Sequence, residues 1–493
     1  MLREGAGLTP LTWAVIFVVR GGGVRPHPFA PSKAASQWLL RQCHDWRRRS
    51  SITSGASRRG GCDVRSNILA ALKRRANALL QWIGLGAAVG LACGGASAFF
   101  LTLLEHATQL RESHEQLVYT LPIAGLVIGF LYDRWGKPIK GGNNLVLDTM
   151  HESAPQIPFR MAPMVLLGTV LTHVFGGSAG REGTAVQMGA SLADEIAHRA
   201  RVGKETRRQL LAAGIAGGFG SVFGTPIAGT VFGMEVVSVG RIEYDAFLPA
   251  LVASVVGDLV TRRLGIVHTP YPRLAHVELT GIVLGKLAVM AVAMALATIA
   301  FVELTHRLKH LLERKIRWLS VRMCVGGICV VVMWKLIGTS DYLGLGVPMI
   351  VRSFDDPSLP WFAFAAKLVF TSVTLAAGFL GGEVTPLFFV GATLGSVLAR
   401  LLGLPIELGA GVGLAAVFGA AANTPIALSI MAVELLGAEA FPHVVIVSVI
   451  AYILTGHRGI YPAQRIQLRK HGGLLRRPVP LRDYRDSTAP PDS

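Results

Sequence analysis

Between residues 79 and 455, thirteen apolar segments follow one another: 79–104, 117–131, 161–175, 210–223, 226–238, 246–261, 279–304, 323–337, 361–380, 387–402, 409–422, 425–437 and 442–455. Several are shorter than the roughly 20 residues that a perpendicular membrane span needs. Short apolar helices broken by Gly and Pro persist at membrane depth only where protein or a water-filled cavity satisfies the freed backbone groups. The pattern therefore predicts an all-α polytopic membrane bundle with the interior of a channel or transporter. Composition agrees: 51% of the 493 residues are hydrophobic, only 16% are charged, and the mean hydropathy is +0.49. A soluble chain of this length carries about 25% charged residues.

The net charge of +18 is confined to the ends. Residues 1–80 hold 14 Lys/Arg against 3 Asp/Glu, and residues 457–493 hold 8 against 3, so the tails supply 16 of the 18. Basic tails around an almost neutral apolar body fit the positive-inside rule, predict both termini in the cytoplasm, and argue against nucleic acid as a partner. Residues 1–74 read as a basic, disordered cytoplasmic extension, 75–270 and 271–472 as two transmembrane repeats, and 473–493 as a short cytoplasmic tail. The patch from Leu11 to Val19 is too short to span and is followed by Arg20 and glycines, without a cleavage site. The five cysteines form no CxxC pair, and Cys93, Cys324 and Cys329 stand in apolar runs, so neither a disulfide framework nor a metal site is expected. No cofactor is implied.

Two halves are visible in the chain itself. Thr225-Pro226-Ile227-Ala228 recurs 199 residues later as Thr424-Pro425-Ile426-Ala427, and each proline is followed nine residues on by an acid, Glu235 or Glu434. A slightly loosened shift pairs Gly180-Arg181-Glu182-Gly183-Thr184 with Gly381-Gly382-Glu383-Val384-Thr385. Duplicated membrane halves place a substrate site at their interface, where broken helices turn their N-termini towards an anion.

Glu182 is the first candidate for chemistry. A carboxylate among glycines inside an apolar body costs about 2.5–3.5 kcal/mol to insert and marks ion or proton pathways. Its glycine neighbours let backbone N–H groups converge on an anion. Ionised, the side chain can fill that place; protonated, it can yield it, which couples proton to anion. The plainer reading is a helix N-cap paired with Arg181. Glu383 repeats the setting, with a structural cap as its alternative, and Thr385 beside it offers a hydroxyl donor suited to a small, strongly hydrated anion. Asn143 and Asn144 offer amides from a third helix start, or form an ordinary turn. Tyr461 either donates its phenol to an ion or anchors at the interface. Enzyme readings fail. His151-Glu152 lacks the second histidine of a zinc protease, the glycine-rich stretch has no Gly-Lys-Ser/Thr ending, and no serine stands with a base.

Over about residues 75–470 these motifs resemble the CLC chloride-channel family. Gly180-Arg181-Glu182-Gly183 is similar to its Gly-Arg-Glu-Gly signature, Thr225-Pro226-Ile227-Ala228-Gly229 to its Asn-Ala-Pro-Leu-Ala-Gly stretch, and Tyr461 to its ion-coordinating tyrosine. The resemblance implies a homodimer with one anion pathway per subunit, each subunit an inverted repeat of tilted, partly spanning helices. Within it, Gly180, Arg181, Gly183, Asn143, Asn144, Val384, Thr385 and Tyr461 fall where the family binds its anion, and Glu182 where it places its external gate. The departures resemble its fluoride/proton antiporter branch: Asn143 replaces the chloride-coordinating serine, Glu383-Val384-Thr385-Pro386 replaces Ile-Phe-Ala-Pro, and Val236 stands where chloride exchangers carry an internal glutamate. No regulatory nucleotide-binding domain is expected after residue 470. The reading is therefore a bacterial inner-membrane protein that exports fluoride in exchange for protons. A chloride/proton exchanger or passive chloride channel of the same fold is the alternative, and a non-transporting scaffold or receptor the alternative of another class.

Overall fold

A computed structural model describes residues 60–152, 156–470 and 472–484. The chain divides into two compact units, Met1–Asn77 and Ala78–Ser493. Residues 1–59, most of the extension expected as disordered, lie outside the described residues. Helix α1 (Gly60–Ser113) begins at Gly60, so residues 60–74 are helical rather than disordered.

The second unit is built almost entirely of helices. After α1 come α2 (Leu121–Trp135), α3 (Asn143–Glu152), α4 (Met161–Val174), α5 (Glu182–Arg199), α6 (Lys204–Phe223), α7 (Pro226–Glu235) and α8 (Phe247–Arg263). The later half holds α9 (Gly281–Lys315), α10 (Leu319–Ile337), α11 (Val347–Arg352), α12 (Ala363–Ala377), α13 (Val384–Leu402), α14 (Ile406–Ala422), α15 (Pro425–Leu436) and α16 (Phe441–Leu454). Among the described residues, six stretches are long and apolar enough to cross a membrane: Leu69–Ser113, Glu115–Trp135, Tyr244–Arg263, Gly281–Lys315, Leu319–Ile337 and Val384–Leu402. The last differs in kind, since 78% of its apolar window is buried inside the protein against 28–50% for the others. Helix α13 is thus the inner wall of the bundle, and the rest present apolar flanks outward.

The two halves repeat one packing scheme. Helix α5 packs on α6, α6 on α7 and α8; likewise α13 packs on α14, α14 on α15 and α16. Close approach is set by paired glycines. A Cβ added at Gly189 would run into the Gly214 carbonyl, and one at Gly391 into that of Gly413, so small residues let the backbones touch where apolar bulk would hold them apart. The helix breaks are equivalent too. Helix α6 ends on Gly224 in the left-handed conformation (φ 74°) before Pro226 opens α7, and α14 ends on Asn423 (φ 58°) before Pro425 opens α15. Proline at the first helical position lacks only an N–H that would have no helical partner. Equivalent elements meet each other, α2 with α10 and α7 with α15. A stack of Phe219, Phe232 and Phe418, with Phe219 and Phe232 centroids 4.2 Å apart, fills the space between α6, α7 and α14.

The all-helical expectation misses one small sheet. Strand β1 (Ser238–Val239) pairs in parallel with β2 (Arg465–Leu468), which pairs antiparallel with β3 (Leu474–Pro480). Val239, Ile466 and Leu481 form a buried cluster beneath it. Residues 474–484 therefore form a strand and turn, and the Arg482 guanidinium reaches Asp148 at 2.9 Å. Residues 485–493 lie outside the described residues.

Candidate functional site

The repeated Gly-rich loops meet as an antiparallel bridge. Gly180 N donates to Gly382 O at 2.6 Å, and Gly382 N donates to Gly180 O at 2.8 Å. Glycine is required at 382, because an added Cβ would stand 2.6 Å from Gly183 N. The first loop is also fastened to α12, where Ser178 N donates to Thr374 Oγ1 at 3.2 Å and the Ser178 and Thr371 hydroxyls lie 3.0 Å apart. Two helix starts from different halves are thereby held face to face.

Glu182, the first residue of α5, is 1% exposed and its carboxylate leans across to the other half. Oε2 accepts from Thr385 N at 3.1 Å and from Arg181 N at 3.2 Å, and Oε1 accepts from the Thr385 hydroxyl at 2.5 Å. The side chain therefore caps the start of α13, a helix 200 residues away in sequence, where unpaired N–H groups and the macrodipole favour negative charge. Arg181 Nε lies 3.4 Å from Oε1, close enough for an ion pair yet not aligned for a hydrogen bond.

Asn143 opens α3 and enters the same region: a Cβ on Gly183 would lie 3.2 Å from its Nδ2, and its Oδ1 is buried without a partner. Asn144 has a different task. Its Oδ1 accepts from Ala463 N at 3.0 Å, tying α3 to the segment that carries Tyr461. Tyr461 is 4% exposed and, with Asn143, Thr184, Gly381 and Glu383, lines a cavity of about 270 Å³. Val384 is buried at the first position of α13, and Glu383 is the residue that precedes the helix, with its side chain in the cavity wall. Of the residues expected from the sequence, Asn143, Asn144, Glu383 and Tyr461 line this cavity, whereas Gly180, Arg181, Glu182, Gly183, Val384 and Thr385 are not among its lining residues.

A second cavity, of about 570 Å³, continues from the first. Both are bordered by Asn144, Lys309, Glu313, Leu375, Glu383 and Ile460, and the second opens among His306, His310, His457 and Arg458 beside the C-terminal strands. Lys309 and Glu313 went unnoticed in the sequence because they lie beyond the apolar stretch that ends at 304, on the polar last turns of α9.

Thr225, Pro226, Thr424 and Pro425 do start repeat-related helices, but at a different place. Glu434 accepts from Ile227 N and Ala228 N at 3.0 and 2.7 Å, and Glu235 accepts from Ile426 N and Ala427 N at 3.2 and 2.8 Å. Each half caps the other's broken helix. The nine-residue spacing from proline to acid, visible in both repeats, is the signal of this reciprocal cap. Among the described residues no cluster of His, Cys, Asp and Glu could hold a metal ion.

The profile described as voltage gated chloride channel matches residues 124–456. A chloride/fluoride channel protein of Pseudomonas syringae pv. tomato is 45% identical over 425 residues, which cover 84% of this chain and 93% of that protein. The crystal structure of a CLC-type fluoride/proton antiporter aligns with a TM-score of 0.77 at 37% identity, over 79% of this chain and 98% of the other. A slow cyanobacterial Cl⁻/H⁺ antiporter, 16% identical with a TM-score of 0.68 over 76% of this chain and 94% of its own, shares the fold.

Proposed function

This chain belongs to the voltage gated chloride channel family, and from that premise we propose that it exports fluoride in exchange for protons, with Glu182 as both gate and proton carrier. The observation that carries the proposal is the seat of the Glu182 carboxylate on Thr385 N and the Thr385 hydroxyl. That seat offers an amide N–H, a hydroxyl and the positive end of α13, which is the environment a small anion needs once it sheds water. Ionised Glu182 fills it. Protonation removes the charge that holds the side chain there, so the acid yields the place to an anion and takes its proton elsewhere. Proton and anion exclude each other from one position, and exchange follows.

Fluoride rather than chloride is favoured by the donors. The Thr385 hydroxyl and the Asn143 amide supply directed hydrogen bonds, which compensate a small, strongly hydrated ion better than apolar contacts do. Val236, 3% exposed, carries no titratable group, and of the two carboxylates that border both cavities Glu313 is paired with Arg322 at 3.1 Å, so protons are assigned the route through Glu383. We place the protein in the bacterial inner membrane with both termini cytoplasmic, so that the second cavity, beside the C-terminal strands, is the cytoplasmic mouth. A homodimer is proposed from the family the chain belongs to.

The deciding experiment reconstitutes the purified protein in liposomes and follows fluoride and pH electrodes together. Wild type is expected to couple fluoride efflux to proton uptake and to pass chloride far more slowly. Equal fluoride and chloride efflux overturns the substrate assignment, and unchanged proton uptake in Glu182→Gln overturns the role of the gate.

A further inference from the structure

The charges that line the two cavities are almost all neutralised locally. Lys140 pairs with Asp133 at 2.9 Å, Arg322 with Glu313 at 3.1 Å, Arg458 with Glu303 at 3.0 Å and Arg482 with Asp148 at 2.9 Å. Lys309 is different. Its exposed ammonium group enters no ion pair and no hydrogen bond among the described residues, although it stands where the two cavities join. Glu383 is its counterpart: the residue borders both cavities, as Lys309 does, and among the described residues no cation lies within ion-pair distance of its carboxylate. The neck thus holds one uncompensated cation and one uncompensated acid, near each other and not joined.

We propose that Lys309 forms an anion-staging site at this neck, a fixed cation shared in alternation by the Glu383 carboxylate and by the transported anion. The inference deepens the transport reading and rests on it. A permanent Lys309–Glu383 ion pair would close the neck to anions. A lysine that borders the same neck without pairing attracts whichever negative charge approaches, and the flexible four-carbon stem lets its ammonium follow either partner. When Glu383 is ionised it competes with fluoride for Lys309. When Glu383 is protonated, the lysine is left to the anion. Residues 306, 309, 310 and 313 share one face of α9; His306 and His310 border only the second cavity, with its mouth, whereas Lys309 and Glu313 border both. The staging site therefore lies on the way from the mouth to Asn143 and Tyr461.

The test measures fluoride efflux from liposomes against fluoride concentration on the side of the second cavity, at two ionic strengths set with gluconate. Lys309→Met is expected to raise the half-saturating fluoride concentration about tenfold, the factor one fixed charge commands in a partly water-filled site. Lys309→Arg is expected to stay near wild type, and the salt dependence of the half-saturating concentration is expected to vanish in the Met variant, because screening acts on the lysine's charge. A lysine that only supported the fold would lower the rate without moving that salt dependence. Calorimetric titration of fluoride into the detergent-solubilised protein gives a second readout: Glu383→Gln is expected to tighten binding, and Lys309→Met in that background to remove the gain. A wild type that transports fluoride beside a Lys309→Met protein with unchanged half-saturation and salt dependence overturns the staging site alone. A wild type that moves no fluoride overturns the transport reading instead.

Discussion

Replacing Glu235 by alanine separates a buried cap from an exposed one made with the same geometry. Glu235 is 5% exposed and accepts from Ile426 N and Ala427 N; alanine leaves both N–H groups without a partner at the start of α15. Each orphaned buried donor costs about 1–3 kcal/mol, so the pair could cost about 2–6 kcal/mol. Removing the acid also relieves the several kcal/mol spent on burying a carboxylate, which moves the expected net loss to the lower end, about 2 kcal/mol. Glu434 makes the mirror-image pair of bonds to Ile227 N and Ala228 N, but it is only partly buried. Its loss should cost about 1 kcal/mol or less, within the usual range for an N-cap. Thermal unfolding of the purified protein in detergent, followed by tryptophan fluorescence, should show midpoints lowered by about 4 °C for Glu235→Ala and by at most about 2 °C for Glu434→Ala, taking about 2 °C per kcal/mol for a long chain. Glu235→Gln, which keeps one acceptor oxygen, should fall between wild type and the alanine variant. If Glu434→Ala lowers the midpoint as much as Glu235→Ala, or if neither moves it, burial does not govern these caps and the reasoning fails.

Other expectations follow from single contacts. Gly382→Ala should abolish fluoride efflux while the protein still purifies, because its Cβ would collide with Gly183 N and part the Gly180–Gly382 bridge; normal flux would count against the bridge as the frame of the site. Asn144→Ala frees Ala463 N and should reduce efflux several-fold without altering fluoride-to-chloride preference, measured by paired ion-selective electrodes. Arg207→Ala removes the guanidinium held at 2.6 and 3.0 Å from fully buried Asp194, leaving that charge the Ile157 N–H at 2.7 Å and His198 at 3.5 Å, and should destabilise by about 3 kcal/mol in the same thermal assay, more than either cap.

The repeat was legible because helix breaks need particular residues. Proline at 226 and 425, with a left-handed residue two positions earlier, is a local requirement that survives in the one-dimensional pattern. Most apolar segments coincide with helices for a similar reason, as 161–175 does with α4, since a helix with one face in the protein interior and the other towards lipid demands unbroken apolar runs. Helices α3 and α5 were missing from those runs. Both carry polar residues, such as Asp148 in α3 and Gln187 and Asp194 in α5, because they face cavities or buried partners rather than lipid. The sheet was invisible since β1 and β2 lie 226 residues apart and only their meeting makes Val239 and Ile466 a core. Nor could spacing show that Glu235 and Glu434 exchange partners. The acids recur at equal distances whether each caps its own half or the other.

Three helix starts in this fold take a glutamate from the opposite half, and comparing them indicates which one can move. Glu235 and Glu434 each accept two consecutive backbone N–H groups behind a proline, a closed arrangement with both carboxylate oxygens engaged by main chain. Glu182 reaches the other half through one backbone N–H and one hydroxyl, both from Thr385, and its remaining bond is to the N–H of its own neighbour. Release therefore costs Glu182 fewer main-chain bonds across the interface. It also frees a hydroxyl that can turn to a new partner. A cap of that kind is exchangeable, while the other two are permanent joints between the halves. Glu182→Ala should accordingly leave anion flux intact and uncoupled, since an anion can take the vacated place on Thr385. A protein that unfolds on losing Glu182, as readily as on losing Glu235, would mean that all three acids are structural and that the gate lies elsewhere.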